Sequence, residues 1–273
     1  YSMNSEQFND GTIDDEFRLY STIEYSMILM SLPTFIALLL IDSPFGKHSP
    51  GNENDSKQWW MGPMIPARPS WFFFEIPNVI WTIVCWIQRN KQIFRLENSI
   101  LLALFFIHYV NRSIIYPIRM KKSKPMPTVV VLSALSFCMF NGYLQAQGLC
   151  QYFSYPPNDM YSFRFALGIV LFLFGFFLNQ QADATLRGLR KPGEHGYRIP
   201  HGGAFDYVSA PHFLGEIIEW LGYAVAVNRT SAYAFLLFTM SNLIPRSLSH
   251  HRWYNDNFKD YPKNRKAIIP YLL

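Results

Sequence analysis

Charge is scarce in this chain. Only 16% of its 273 residues are Asp, Glu, Lys or Arg, against about 25% in an ordinary soluble domain. Cysteine is scarcer still. Cys85, Cys138 and Cys150 are scattered with no Cys-x-x-Cys pair, which speaks against a thiolate metal site or a redox pair. No His-Glu-x-x-His occurs, and the adjacent His250 and His251 do not share one helix face, so no metal is expected. A Gly-x-Gly-x-x-Gly turn after a strand is missing, so a Rossmann domain is not supported, and no Gly-x-Ser-x-Gly elbow is present. The net charge of +5 gathers on no basic face of a soluble fold, so nucleic acid is not an expected partner. The opening stretch YSMNSEQFNDGTIDDEF is acidic and polar, unlike a secretory leader. It reads as a mobile tail over residues 1–18, with the first span acting as an uncleaved anchor.

Apolar residues fill the space that charge leaves. Half of the chain is hydrophobic and 17% is aromatic. The mean hydropathy of +0.04 averages polar loops with apolar windows, and a membrane span needs only about 20 mostly apolar residues. Seven windows qualify: Leu19–Ile41, Trp71–Ile87, Ser99–Ile118, Thr128–Cys150, Phe163–Gln181, Pro211–Val227 and Ser231–Ile244. The expected fold is therefore all-α, a polytopic integral membrane protein of about seven transmembrane helices forming one domain over residues 19–273. Six spans is the alternative count, with the short seventh window interfacial. Lys and Arg concentrate in the first, third and fifth loops and in the C-terminal tail. Cytoplasmic loops collect such residues, which predicts a cytosolic C-terminus.

Several ionisable groups interrupt the spans: Glu75, His108, Arg112, Asp183, Glu216 and Glu219. Each is expensive in lipid unless it faces a cavity or a partner. His108 and Arg112 are four residues apart, Tyr109 and Arg112 three, Asn179 and Asp183 four, Glu216 and Glu219 three. Such spacings put each pair on one helix face, which predicts a polar chamber inside the bundle. The fifth loop, LRGLRKPGEHGYRIPHGG, is basic and glycine-rich. Arg187, Arg190, Lys191 and Arg198 suit phosphate oxygens, although ordinary positive-inside charge explains the same residues. A second cluster, RSLSHHRWYNDNF, adds Arg246, His250, His251 and Arg252 on the same side. The two clusters together suit one polyphosphate.

The stretches PARPSWFFFEIPN, FFIHYVNRSIIYP, KPMP, NGYLQ, LRKPGEHGYRIPHGG, YVSAPHFLGEIIEW and YPKNRKAIIPYLL run in order from Pro66 to Leu273. In these the chain resembles the animal steroid 5α-reductases, and SPFGKHS near residue 45 is similar to that family's first loop. The resemblance implies a seven-span membrane enzyme of the endoplasmic reticulum that reduces the Δ4 double bond of 3-ketosteroids with NADPH, in a setting of membrane lipid. It implies that Glu75 and Tyr109 hold the steroid ketone. It also implies that Lys47, Arg112, Lys124, Asn179, Asp183, Arg190, Tyr197, Arg198, His212, Glu216, Arg246, His250 and Tyr254 line the cofactor. His212 departs from the family's usual Asn, and its Pro-His pair looks more like the related polyprenol reductases. Ser249 replaces the first His of a three-His run.

Polyprenol reductase and enoyl-thioester reductase are the rival enzyme readings, and the long match through FLGEIIEW favours the steroid branch. A non-enzymatic seven-span sterol-binding protein or receptor is the rival of another class. An Asp-Arg-Tyr after the third span and an Asn-Pro-x-x-Tyr in the seventh are both missing.

Overall fold

A computed structural model describes residues 11–48, 60–121, 123–189 and 196–273. The first ten residues of the expected tail, and Arg190 and Lys191 of the fifth loop, lie outside the described residues. The long helices are α1 Gly11–Leu40, α2 Ala67–Ile87 and α3 Leu96–Val110. A π-helical turn at Asn111–Ile115 carries α3 into the short α4, Tyr116–Arg119. The bundle is completed by α5 Thr128–Gln147, α6 Phe163–Gly188, α7 Pro211–Val227 and α8 Thr230–Asn257. Strand β1, Met64–Ile65, pairs antiparallel with β2, Met126–Pro127, and joins the entries of α2 and α5.

Among the described residues, five helices are long and apolar enough to cross a membrane: Asp15–Leu40, Ala67–Ile87, Leu96–Arg119, Thr128–Tyr152 and Phe163–Gly188. The protein is an all-α polytopic membrane protein. The other two windows are also helical. However, α7 is only 17 residues long, and α8 runs 28 residues into a polar second half. Helix α1 begins well before the apolar window at Leu19. It rests mainly on α8. Its outer face is apolar and uncovered, with Leu29 74% and Leu40 79% exposed, as suits a lipid-facing helix.

Helices α6 and α7 pack backbone to backbone because glycines line their seam. A Cβ on Gly175 would lie 2.2 Å from the Glu219 backbone nitrogen, and one on Gly222 would lie 2.2 Å from that of Phe172. Gly168 and Gly215 are as tightly faced, at 2.6 Å from Ala226 N and 2.5 Å from Asn179 N. In lipid, where apolar side chains gain nothing by meeting one another, small residues let backbones pack in this way. The seam brings Asn179 and Asp183 of α6 beside His212 and Glu216 of α7.

The two ends of the bundle use their cations differently. At the end away from the fifth loop, Arg164 donates to the Val225 carbonyl at 2.7 Å and Arg229 to the Ser154 carbonyl at 2.9 Å. These bonds satisfy carbonyls that helix ends leave open. At the other end, Lys47, Lys124, Arg198 and Arg246 line a cavity.

Candidate active site

The cavity encloses about 1510 Å³, more than the roughly 300–1,000 Å³ of an ordinary small-molecule site. One arm is apolar, walled by Met27 and Met30 of α1, Phe74 of α2, Phe137 of α5, and Phe235 and Phe238 of α8. The other is polar, with Lys47, Arg112, Asp183, Arg198, His212 and Arg246. Arg190 lies outside the described residues. Every other residue that the resemblance assigns to ketone or cofactor lines this one cavity: Glu75, Tyr109, Lys47, Arg112, Lys124, Asn179, Asp183, Tyr197, Arg198, His212, Glu216, Arg246, His250 and Tyr254, whereas Arg187, Glu219, His251 and Arg252 do not.

Arg112 sits at the centre of the polar arm. Its guanidinium lies against the rings of Trp71 and Tyr116, 4.6 and 4.8 Å from their centroids. It faces Asp183 at 3.6 Å and Glu216 at 4.0 Å. The π-helical turn that carries it separates it from His108, which pairs with Glu219 at 2.7 Å. Helical spacing puts His108 and Arg112 on one stripe, and Glu216 and Glu219 on another. The structure keeps both stripes inside but gives each member its own partner. Asn179 turns its amide to the His212 carbonyl at 2.9 Å, tying α6 to the first turn of α7.

Helix α8 continues through the polar RSLSHHRWYNDN segment as one rod. Arg246, His250 and Tyr254, four residues apart, therefore fall on one cavity-facing side. Arg246 lies 4.8 Å from both the Phe45 and Phe213 rings. Lys47 caps the Tyr254 ring at 3.5 Å, and burial pushes its ammonium down to about 7. Burial also lowers His48, against the opposing pull of Asp42 at 3.6 Å. Among the described residues, the Nδ1 atoms of His212 and His250 are buried without a hydrogen-bond partner. Cations and unpartnered ring nitrogens on one wall, backed by aromatic rings, form a set that fits a polyphosphate.

Glu75 and Tyr109 lie where α2, α3 and α5 meet. The Cys138 thiol is 3.6 Å from the Glu75 carboxylate. The Tyr109 ring is held by Phe105, with centroids 4.6 Å apart, and stacks on Trp220 at 5.9 Å. Its hydroxyl accepts a hydrogen bond from Asn141 Nδ2 at 3.0 Å. Sequence reasoning quoted Asn141 and Gln145 within NGYLQ but gave them no role. Both are buried amides four residues apart in an apolar span, a polar pair on one helix face that the sequence itself displays.

The family model described as 3-oxo-5-alpha-steroid 4-dehydrogenase matches residues 124–273. The chain is 40% identical over 260 residues to 3-oxo-5-alpha-steroid 4-dehydrogenase 1 of Rattus norvegicus, covering 95% of this chain and 97% of the relative. The chain belongs to the 3-oxo-5-alpha-steroid 4-dehydrogenase family. It is also 41% identical over 247 residues to the type 2 protein of Rattus norvegicus, covering 90% of this chain and 94% of the relative. The likeness extends to plants: a steroid 5-alpha-reductase of Solanum lycopersicum is 37% identical over 258 residues, covering 93% of this chain and 97% of the relative. As a member of this family, the protein is an oxidoreductase.

Proposed function

We propose that this protein reduces the Δ4 double bond of a 3-oxo-Δ4-steroid with NADPH, holding the ketone oxygen between Tyr109 and Glu75. The observation that carries the reading is the two-armed cavity. Its apolar arm suits a lipid-like ring system, its cationic arm suits a dinucleotide phosphate, and Glu75 and Tyr109 line it between Phe74, Cys138 and Arg112. When bound, the reduced nicotinamide supplies hydride to the β-carbon of the enone. Negative charge then develops on the ketone oxygen. The Tyr109 hydroxyl donates to that oxygen, and preorganised donors of this kind are usually the largest catalytic term. Glu75 serves as a second donor in its protonated form and orients Tyr109 in its ionised form. A proton reaching the α-carbon completes the reduction.

The cationic arm supports NADPH over NADH, because arginine forks suit the extra 2′-phosphate. Arg198, together with Arg190 and Lys191, are the candidates. Comparable catalytic efficiency with the two cofactors overturns that preference. The same positive end supports an endoplasmic-reticulum membrane protein with the cavity mouth and C-terminus in the cytosol. A C-terminal tag protected from protease in sealed microsomes overturns the orientation. The decisive experiment offers the purified protein NADPH with a 3-oxo-Δ4-steroid, a polyprenol and an enoyl thioester, and reads products by mass. Addition of two hydrogens to the steroid is expected. Turnover of the polyprenol or the thioester alone overturns the proposal.

A further inference from the structure

Behind Tyr109 lies a chain of buried amides whose hydrogen-bond direction is set from both ends. The Ser231 carbonyl can only accept, so the Gln145 side chain must present its amino group there, at 3.0 Å. The same amino group lies 3.4 Å from Asn141 Oδ1. Asn141 must therefore offer oxygen to Gln145 and its own amino group elsewhere. A second anchor agrees. Asn78 Nδ2 donates to the Glu75 carbonyl at 3.3 Å, which leaves Asn78 Oδ1 to accept from Asn141 Nδ2 at 3.5 Å. An amide's orientation is read from its network, and here two backbone carbonyls, one on α8 and one on α2, require the same one. All four residues named after Ser231 belong to the buried interior: Asn78, Asn141 and Gln145 are at most 1% exposed, and Glu75 is buried with them.

The last bond of the chain is Asn141 Nδ2 to the Tyr109 hydroxyl oxygen, at 3.0 Å. A phenol has one proton to give. With Asn141 donating to its oxygen, Tyr109 does not spend that proton on Asn141. Among the described residues its hydroxyl hydrogen-bonds to no other group, and Tyr109 lines the cavity. We infer that Asn141 is a positioning residue for the reaction, its polarity set by Gln145 and Asn78, which compels Tyr109 to present its O–H to the substrate oxygen. This inference rests on the proposed role of Tyr109 as donor to the ketone.

Asn141→Asp keeps the shape and reverses the polarity, because a carboxylate accepts and Tyr109 then donates backwards. Turnover should fall about 10²-fold, the scale of losing one oxyanion donor, while NADPH affinity stays within about twofold of the parent, as for effects confined to the transition state. Gln145→Glu, two links from the tyrosine, should lower turnover in the same direction by removing the donor to Ser231. It keeps the question open to test should the Asp variant fail to fold, with NADPH binding reporting the fold. In a Tyr109→Phe background, Asn141→Asp should add little, because residues acting through one another are not additive. Full turnover in both single variants overturns the inference, as does a multiplied loss in the Phe background. No steroid reduction by the parent chain overturns the functional reading as well. An active parent with unaffected Asn141 and Gln145 variants overturns this inference alone.

Discussion

His108 Nδ1 and Glu219 Oε1 lie 2.7 Å apart in the middle of the bundle, joining α3 to α7 where neither side chain reaches solvent. The pair adjoins the site, and His108 lines the cavity. His108 precedes Tyr109 in the chain and packs on Trp220, ring centroids 4.4 Å apart. Glu219 lies one turn from Glu216 on α7.

Breaking this pair should destabilise the fold more than removing it whole. Loss of one partner strands a buried polar group, typically at about 3–5 kcal/mol, whereas apolar replacement of both is far milder. His108→Leu or Glu219→Leu alone should lower the thermal midpoint in lipid nanodiscs well below that of the double variant. A double variant as unstable as the sum of the two singles shows that the groups are not coupled.

Tyr109→Phe removes the proposed donor and leaves the ring packed on Phe105 and Trp220. Turnover should fall about 10²–10³-fold, with NADPH binding retained. Glu75→Gln should be comparably severe, since it keeps the shape and changes the protons available. Near-normal turnover in Tyr109→Phe excludes it as the essential donor. Loss of NADPH binding in both variants reassigns the pair to architecture.

The α6–α7 seam should tolerate no side chain. In Gly175→Ala the new carbon meets backbone at 2.2 Å, so the helices must part, and overpacking of this kind typically costs about 1–3 kcal/mol. Separation also moves Asn179 and Asp183 away from His212 and Glu216, so NADPH affinity should fall together with the thermal midpoint. Gly188→Ala, with nothing within 4 Å of the added carbon, serves as the control. Equal behaviour of the two variants contradicts the close approach.

NADPH binding should weaken on the alkaline side through Lys47. Its folded-state pKa is depressed to about 7, so the free protein carries that charge below pH 7 and loses it above. A polyanion favours the charged form, so affinity is full at acid pH and declines as pH rises through 7, by at most about tenfold per unit for one proton. Lys47→Arg, which stays charged, should flatten the decline. An unchanged pH profile in that variant removes Lys47 from the phosphate site.

The membrane-spanning helices and the charged residues that the spans bring to the cavity were legible in the sequence for a simple physical reason. Lipid penalises charge, so Glu75, Arg112, Asp183 and Glu216 stand out against their apolar windows as sequence alone presents them. Periodicity then showed which polar groups share a helix face. It did not show what each face meets. Contacts such as His108 with Glu219, 111 residues apart, or Asn141 with Tyr109, 32 apart, depend on how helices pack, and no local pattern encodes that. The register shift at the π-helical turn after Tyr109 is equally invisible, because 3.6-residue spacing assumes an unbroken helix.

The sequence by itself therefore determined that the chain is an all-α membrane protein and that its buried polar groups are too many to be incidental. It also determined the family, through long ordered motifs from Pro66 to Leu273. Only the tertiary structure decided that α8 runs unbroken to Asn257, so that Arg246, His250 and Tyr254 face the same cavity as Glu75 and Tyr109. It alone also decided how closely α6 and α7 approach and which way the Asn141 amide points. Those outcomes depend on backbone distances of a few ångströms and on the direction of single hydrogen bonds, which arise only when distant segments are packed together.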